Sequence, residues 1–322
     1  MRILVTGGSG FIGSRVVREL LAKGHEVRIF DKIPSAQYPE LCSIGNVCDG
    51  EALDRALKHI DIVYHLAAEH RDDVNPVSLY YEVNVEGSRK LAAACVANEV
   101  STIIFTSSVA LYGLNVGEPS EDFASRPFND YGRSKSQAEE VLQEWVDKHK
   151  SNTLVIVRPA VIFGEGNRGN VYNLVKQIAS GRFVMVGNGR NEKSMGYVGN
   201  IASFLVFVTE SAERGVRVFN YADKPDFSMN ELVSLVRHST GKRKDSYVRI
   251  PYWIGIAGGL CLDVLSSLTG KKLPISAVRV KKFCATTTIS VGRVQAAGFT
   301  PPYSLAQGME MFLEHEFGVR KR

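Results

Sequence analysis

A serine, a tyrosine and a lysine in the middle of this chain could together carry out hydride chemistry. Tyr131 and Lys135 are four residues apart, which places them on one face of a helix, and Ser108 follows an apolar run upstream. A phenol has a pKa of about 10 and needs a nearby positive charge to act as a base at neutral pH. Lys135 would supply that charge and Ser108 would hydrogen-bond the same substrate oxygen, while a nicotinamide cofactor takes the hydride.

A glycine-rich turn near the start of the chain is typical of dinucleotide binding. Gly7, Gly10 and Gly13 follow one apolar run and precede a helical pattern that includes Phe11 and Ile12. The first glycine permits a tight turn, the second lets the backbone approach a pyrophosphate, and the third lets the helix pack close to the sheet. The amides at the helix start would then face the phosphates.

A carboxylate about 20 residues further on favours NAD over NADP. Asp31 ends the second apolar run, where it would bond the ribose 2′-hydroxyl and repel a 2′-phosphate. Lys32 and Arg15 lie close enough in sequence to meet such a phosphate. NADP therefore remains the alternative cofactor.

The first half of the chain alternates short apolar runs with helical patterns. Buried strands are predicted at 3–5, 26–30, 60–65, 102–107 and 154–158, and helices at 14–23, 51–58, 83–98 and 131–149. This alternation predicts an α/β fold, a doubly wound parallel sheet of the Rossmann type. Glycine-rich loops follow, so we expect a cofactor domain over 1–165 and a smaller, interleaved substrate-binding region over 166–322.

Composition narrows the class of protein. The 322 residues are 44% hydrophobic and 23% charged, which is typical of a folded protein, and the net charge of +5 is spread along the chain without a nucleic-acid footprint. Five cysteines show neither metal-binding nor redox spacing, so no metal is predicted. The first strand begins at once, leaving no room for a secretion signal, and we expect a cytoplasmic protein.

The apolar stretch at 251–265 admits two interpretations. It is interrupted by Asp263 and is shorter than the about 20 residues that cross a bilayer. A buried helix or a wall of the substrate pocket is favoured. The alternative is a peripheral membrane contact, with which four nearby lysines are compatible, Lys271, Lys272, Lys281 and Lys282.

Together these motifs resemble an extended short-chain dehydrogenase/reductase, and most closely the NAD-dependent epimerase/dehydratase family of nucleotide-sugar enzymes. The resemblance covers nearly the whole chain and rests on the glycine turn, the Tyr131 and Lys135 pair, and the segments His65-Leu66-Ala67-Ala68, Asn84-Val85-Glu86-Gly87, Thr106-Ser107-Ser108, Tyr112-Gly113 and Arg158-Pro159. It implies cofactor contacts at Gly7, Gly10, Phe11, Ile12, Gly13, Asp31, Lys32, Asn46, Val47, Leu66, Ala67, Ala68, Asn84, Thr106, Tyr131, Lys135 and Pro159. It implies substrate contacts at Ser108, Val109 and Lys193, and a homodimer formed through the helices at 83–98 and 131–149.

Departures from the family pattern reduce the number of reactions and substrates that fit. Related 4,6-dehydratases carry an Asp-Glu pair where this chain has Val109-Ala110, so dehydration is disfavoured. Asn46 replaces an acid, Val161 replaces an asparagine, and Lys193 replaces an arginine that binds the diphosphate in relatives. Since lysine binds phosphate as a point charge, the diphosphate is bound differently or the substrate is not the usual free nucleotide sugar.

The resemblance favours epimerisation at the C4 position of an activated, nucleotide-linked sugar, such as a UDP-linked N-acetylhexosamine, through a transient 4-keto intermediate in polysaccharide or surface-sugar synthesis. The first alternative is a 4-keto-sugar reductase that uses NAD(P)H. A further alternative is a dehydrogenase of hydroxysteroids or of lipid-linked sugars, which would account for the apolar stretch. A non-catalytic protein that binds NAD(H) is disfavoured because Ser108, Tyr131 and Lys135 are all present.

Overall fold

The structure is a computed structural model that describes residues 1–71, 74–210, 213–241, 247–269 and 276–318. The strands are β1 Arg2–Thr6, β2 Glu26–Asp31, β3 Cys42–Ile44, β4 Ile62–His65, β5 Thr102–Thr106, β6 Thr153–Pro159, β7 Val161–Phe163, β8 Val184–Val186, β9 Glu192–Tyr197, β10 Gly215–Tyr221, β11 Asp223–Ser228 and β12 Val248–Ile250. The helices are α1 Phe11–Ala22, α2 Gly50–Leu57, α3 Ser78–Tyr81, α4 Gly87–Ala97, α5 Asp130–Lys148, α6 Asn170–Ser180, α7 Val198–Glu210, α8 Met229–Ser239, α9 Tyr252–Thr269, α10 Ala277–Cys284, α11 Gly292–Ala296 and α12 Leu305–Phe317.

Seven parallel strands form the main sheet, in the order β10-β6-β5-β4-β1-β2-β3. This confirms the predicted doubly wound α/β fold. The five strands predicted from the sequence form the centre of the sheet, and the two edge strands were missed. β3 has three residues, two of them exposed, and β10 comes from the second half of the chain with an exposed or half-buried first half, so neither presents a buried apolar run.

Two hydrophobic layers enclose this sheet. On one face, α1 packs through Val16, Val17 and Leu20 against a core that also contains α7. On the other face, α2, α4 and α5 pack around Leu53, Leu91 and Leu142. Because both faces are covered, the central strands are continuously apolar, and β6 is buried along its whole length.

The later part of the chain builds a second core beside the carboxyl edge of the main sheet. A three-stranded sheet, β11-β9-β7, and the parallel pair β12-β8 surround it. Its buried side chains include Phe163, Met185, Met195 and Phe312. β10 belongs to the main sheet, so the two regions are interleaved.

The apolar stretch at 251–265 forms helix α9, but the expectation of a buried helix is wrong. Trp253 is 70% exposed and Val264 is 61% exposed. Gly255 and Gly259 face the protein and have no side chains, so α9 lies close to its neighbours while its large apolar residues point outward. Lys271 and Lys272 lie outside the described residues. None of the helices in the described part of the chain has the length and apolar composition that a bilayer crossing requires.

A buried ion pair ties α5 to the sheet. Arg158 on β6 donates from Nε to Glu139 at 2.9 Å and from Nη2 at 2.6 Å. The guanidinium also donates to the Tyr112 hydroxyl at 2.7 Å and to the backbone oxygen of Glu121 at 3.0 Å. This network therefore fixes α5 relative to the segment that follows β5.

Removing one member of this pair should destabilise the fold strongly. Glu139→Ala should lower the free energy of unfolding by about 3–5 kcal/mol, because the Arg158 guanidinium would remain buried without its partner. The double variant E139L/R158M should recover most of that loss, since it leaves no buried charge. Urea unfolding followed by circular dichroism measures both.

The exposed pair of Lys150 and Asp147 provides the control, because both side chains are about three-quarters exposed. Asp147→Ala should cost less than about 1 kcal/mol. A double variant no more stable than E139A would contradict the interpretation of Arg158 as a charge that depends on Glu139.

Candidate active site

Helix α5 and the turn after β5 bring the predicted catalytic residues together. The Asn129 side chain caps α5 by accepting a hydrogen bond from the Gly132 amide at 2.9 Å, which starts the helix directly before Tyr131. Ser108 caps a 3-10 turn in the same way, through the Ala110 amide at 3.2 Å. A Cβ on Gly132 would lie 2.5 Å from the Ala110 oxygen, so only glycine allows the turn to approach the helix so closely.

Lys135 lies one helical turn beyond Tyr131 and is 2% exposed. Its Nζ is 4.3 Å from the centre of the Phe105 ring on β5. Burial lowers the pKa of Lys135 to about 7, although the nearby Glu139 carboxylate acts to raise it. Tyr131 and Ser108 are only half-buried. The two residues that would touch a substrate are thus partly exposed, while Lys135 is buried.

The glycine turn forms a tight cradle between β1 and α1. Gly7 has a φ of +71°, and a Cβ there would lie 2.7 Å from the Ala67 amide nitrogen. A Cβ on Gly13 would lie 2.2 Å from the Gly7 oxygen. Helix α1 begins at Phe11 without a side-chain cap or an acidic residue in its first turn. Its amide ends are therefore suited to a phosphate anion, as a dinucleotide requires.

Asp31, at the end of β2, hydrogen-bonds the backbone of this turn. One carboxylate oxygen accepts from the Ser9 amide at 3.0 Å and the other from the Ile33 amide at 3.3 Å. The Lys32 ammonium lies 3.8 Å from the Glu69 carboxylate, and Arg15 donates to the Glu165 backbone oxygen at 2.9 Å. Both cations have protein partners, which favours NAD over NADP at this position.

The other predicted cofactor residues follow the carboxyl ends of neighbouring strands, where a doubly wound sheet binds its ligand. They are Asn46 and Val47 after β3, Leu66, Ala67 and Ala68 after β4, Thr106 at the end of β5 and Pro159 at the end of β6. The hydroxyl oxygens of Thr106 and Ser107 are buried and lack a hydrogen-bond partner within the described residues. Such orphaned polar atoms fit a site that a cofactor completes.

Asn84 is buried, and its side chain hydrogen-bonds other residues of the protein. Its Oδ1 accepts from the Glu69 amide at 2.9 Å, and its Nδ2 donates to the Glu69 oxygen at 3.0 Å and to the Ser134 hydroxyl at 2.9 Å. Asn84 thus joins the loop after β4 to α5, beside Lys135. The predicted cofactor contact of Asn84 stays a prediction.

His65 is a buried, neutral member of the same region. Its Nδ1 is 2.8 Å from the Thr6 hydroxyl, its Nε2 is 3.1 Å from the Ser88 hydroxyl, and its ring stacks on Phe105. Burial, assisted by the charge of Lys135, lowers the pKa of His65 to about 3. Phe105 therefore contacts both an uncharged imidazole and the lysine.

Lys193, predicted to contact the substrate, caps the end of α10. Its Nζ donates to the backbone oxygens of Lys282, at 2.8 Å, and of Ala285. Burial lowers its pKa to about 8. Val161 pairs with Met195, two residues beyond Lys193 on β9, so both departures from the family pattern lie in one small sheet. Val109 begins the 3-10 turn after Ser108.

Sequence reasoning missed three residues that hold the lysine in place. Phe105 supplies the ring under the ammonium, Glu139 supplies the buried carboxylate one turn away, and Asn129 starts the helix. Glu139 could have been identified from the sequence, because it lies four residues after Lys135 on the same helical face. The ring of Phe105 could not have been identified, since both faces of a buried strand are apolar.

Comparison with known proteins agrees with this geometry. The model of the NAD-dependent epimerase/dehydratase family matches residues 3–222. A relative from Escherichia coli O157:H7, N-acetyl-alpha-D-glucosaminyl-diphospho-ditrans,octacis-undecaprenol 4-epimerase, is 52% identical over 321 residues, covering 99% of this chain and 96% of the relative. UDP-glucose 4-epimerase of Vibrio cholerae is 27% identical, covering 96% of this chain and 93% of that protein.

Among solved structures, MoeE5 in complex with UDP-glucuronic acid and NAD superposes with a TM-score of 0.78 at 27% identity, covering 98% of each chain. The predicted resemblance and the predicted cofactor, NAD, are confirmed by these matches. The family model spans more than half of the sequence and includes the glycine turn, Ser108, Tyr131 and Lys135. The chain belongs to the NAD-dependent epimerase/dehydratase family.

Proposed function

We propose that the protein epimerises the C4 position of an N-acetylhexosamine carried on a polyprenyl diphosphate. The observation that carries this proposal is the 52% identity, over 99% of the chain, to a relative named for that reaction. The family site supports it, because the glycine cradle and the Ser108, Tyr131 and Lys135 arrangement suit hydride transfer at a hydroxyl-bearing carbon.

A polyprenyl carrier also accounts for the departures from the nucleotide-sugar pattern. Lys193 already donates to two backbone oxygens of the segment at 282–285, and Val161 has no side-chain amide that could bind a diphosphate. A site for a free nucleotide sugar would be expected to hold its diphosphate with forked, bidentate groups. The weaker set here fits a substrate that a lipid tail also helps to retain.

In the proposed mechanism the chain moves one proton and holds one oxygen. NAD, when bound, would supply a reversible hydride acceptor for the sugar C4. The Tyr131 oxygen takes the proton of the C4 hydroxyl as that carbon is oxidised, and returns it after the sugar has turned its other face. Ser108 donates a hydrogen bond to the same oxygen. The turn from Gly7 to Gly13, with Asp31 and Thr106, would hold the cofactor.

The charge of Lys135 sets the pH range in which Tyr131 can act as a base. Its ammonium lies on the same helical face, where it would stabilise the tyrosinate that takes the substrate proton. Burial disfavours the positively charged ammonium and lowers the pKa of Lys135 to about 7. As the pH rises through about 7, this charge is lost and the tyrosinate loses its stabilisation.

Tyr131→Phe should lower kcat roughly 10²–10⁴-fold, because it removes the general base. The bound NAD content should stay unchanged, since the ring remains. Single-turnover assays and release of the nucleotide by denaturation measure these two effects. Tyr81→Phe is the matched control, because it removes a hydroxyl that contacts Asp130 at the start of α5. Turnover retained in Y131F would exclude Tyr131 as the base.

The pH profile gives a separate test of Lys135. In the wild type, kcat/KM should fall as the pH rises through about 7, because Lys135 then loses the charge that stabilises the tyrosinate. In Lys135→Met this charge is absent at every pH, so activity should be low and the falling limb near neutral pH should disappear. A limb that stays near neutral pH in K135M would show that another group controls it.

A 4-keto-sugar reductase is the second candidate, favoured only by the shared catalytic set. The proposed function is tested by denaturing the purified protein, identifying the released nucleotide by mass, and offering polyprenyl-diphosphate N-acetylglucosamine with no added cofactor. Stoichiometric NAD and a new C4 epimer are expected. A protein that is empty and consumes NAD(P)H with a 4-keto sugar would establish the reductase instead.

We add three proposals, on the location of the protein, its oligomeric state and the division of the chain. The protein is proposed to act in the cytoplasm, to form a homodimer through α4 and α5, and to bind the sugar mainly through residues 166–322, with the cofactor held by 1–165. The burial of Met185, Met195 and Phe312 in a separate core supports the division. Size-exclusion chromatography with light scattering tests the dimer.

A further inference from the structure

Helix α9 presents an apolar face to solvent. Trp253, Leu260, Val264 and Leu265 are 70%, 54%, 61% and 48% exposed, and they recur at spacings that place them on one side of the helix. A surface helix of a soluble protein normally turns polar residues outward. Here the outward face is the apolar one, and it extends over three turns.

The opposite side of α9 is held against the protein. A Cβ on Gly255 would lie 2.4 Å from Val186, and one on Gly259 would lie 2.7 Å from the Ala277 amide, so α9 packs closely on β8 and α10. The Asp263 carboxylate accepts from the Ala277 amide at 3.0 Å. Because α9 is attached along its length, its apolar face forms a flat surface parallel to the helix axis.

The charges beside this face are basic. Helix α10 carries Arg279, Lys281 and Lys282, and the one acidic side chain in α9 and α10 is Asp263, which is used to cap α10. Val278 on α10 is 49% exposed and extends the apolar surface. Tyr252 and Trp253, at the start of α9, are the aromatic types that prefer a membrane interface.

The same surface leads to the active site. The Lys282 ammonium is 5.7 Å from the ring of Phe128, which is 49% exposed and lies three residues before Tyr131. Lys193 joins the end of α10 through the backbone oxygens of Lys282 and Ala285. Helix α10 therefore connects α9 with the segment that starts the catalytic helix.

We propose that α9 lies in the headgroup region of an anionic lipid bilayer, with its apolar face inserted and Arg279 and Lys281 against the lipid phosphates. This surface rests on the proposed function in one respect: a polyprenyl-linked substrate resides in the membrane, and the docked protein receives its diphosphate sugar beside Phe128. The acyl chains of such a bilayer match the apolar part of the face, and its anionic headgroups match the basic part.

A second copy of the chain fits this surface less well. A symmetric dimer would place the same patch on both subunits, and the acid that α9 and α10 contribute, Asp263, already binds the Ala277 amide. The basic side chains would then be desolvated against a surface of the same sign, which is unfavourable. The basic groups that oppose self-association are those that attract anionic lipid.

The test is sedimentation of the full-length holoenzyme with vesicles of phosphatidylcholine alone or mixed equally with phosphatidylglycerol. The wild type should bind the mixed vesicles and bind phosphatidylcholine more weakly. The variant W253Q/L260Q/V264Q should bind the mixed vesicles roughly tenfold more weakly or worse, because it removes the inserted side chains. Val216→Gln, a change at an exposed apolar residue of β10, is the control and should bind like the wild type.

The basic part of the face is tested with R279Q/K281Q, which should lose roughly fivefold in binding per charge removed on anionic vesicles only. K148Q/K150Q changes the net charge equally at a distant helix end and should have little effect. Wild-type protein that stays in the supernatant, or a W253Q/L260Q/V264Q variant that sediments like wild type, would overturn the proposal. So would loss of a dimer in that variant with vesicle binding intact.

Activity separates this inference from the proposed function. On a short-chain, water-soluble polyprenyl-diphosphate sugar, W253Q/L260Q/V264Q should retain wild-type kcat, while its rate on vesicle-embedded substrate should fall about tenfold. Wild-type turnover of the lipid-linked sugar without vesicle binding would reject the docking surface and leave the epimerase. Vesicle binding without turnover would reject the epimerase and leave the docking surface.

Discussion

The burial of one lysine ammonium is the constraint on which the active site depends. Lys135 is held under the carboxyl edge of the sheet, with the ring of Phe105 at 4.3 Å and the Glu139 carboxylate one helical turn away. A charge removed from water is costly unless something compensates it, and here the compensation is shared between a ring face and a carboxylate. The pair of Arg158 and Glu139 fixes the helix that carries Tyr131 and Lys135 against the sheet that carries Phe105. The fold thus holds a positive charge where a tyrosine can use it.

The parallel sheet explains why residues far apart in the sequence meet at this site. All seven strands of the main sheet end at the same edge, so the glycine turn, the loop after β4 and the ends of β5 and β6 lie side by side. Close backbone approaches at Gly7, Gly13 and Gly132 draw these segments together, since any Cβ at these positions would collide with backbone atoms. The site is therefore assembled by main-chain geometry, and only a few side chains carry the chemistry.

The central strands and the crossover helices could be predicted from the sequence, because they show strong periodicity. The catalytic roles of Ser108, Tyr131 and Lys135 rest on motifs of fixed spacing and stay a prediction. The edge strands could not be predicted, since β3 is too short and β10 is contributed by a distant segment. The exposure of α9 was also beyond the sequence pattern. An apolar run predicts a helix, but which side faces the protein depends on Gly255 and Gly259, whose small size matters only beside β8 and α10. Lys193 was predicted to contact the substrate, whereas its hydrogen bonds to backbone oxygens at the end of α10 depend on tertiary structure alone.

In the proposed reaction, hydride leaves the sugar C4 and returns to the same carbon without exchange with solvent. This is tested with polyprenyl-diphosphate N-acetylglucosamine that carries deuterium at C4, followed by mass spectrometry and nuclear magnetic resonance of the product sugar. We expect that the C4 epimer retains its deuterium in ordinary water, and that unlabelled substrate gains none in deuterated water. Loss of the label, or its appearance from solvent, would exclude this reaction, because the C4 hydrogen would then exchange as a proton.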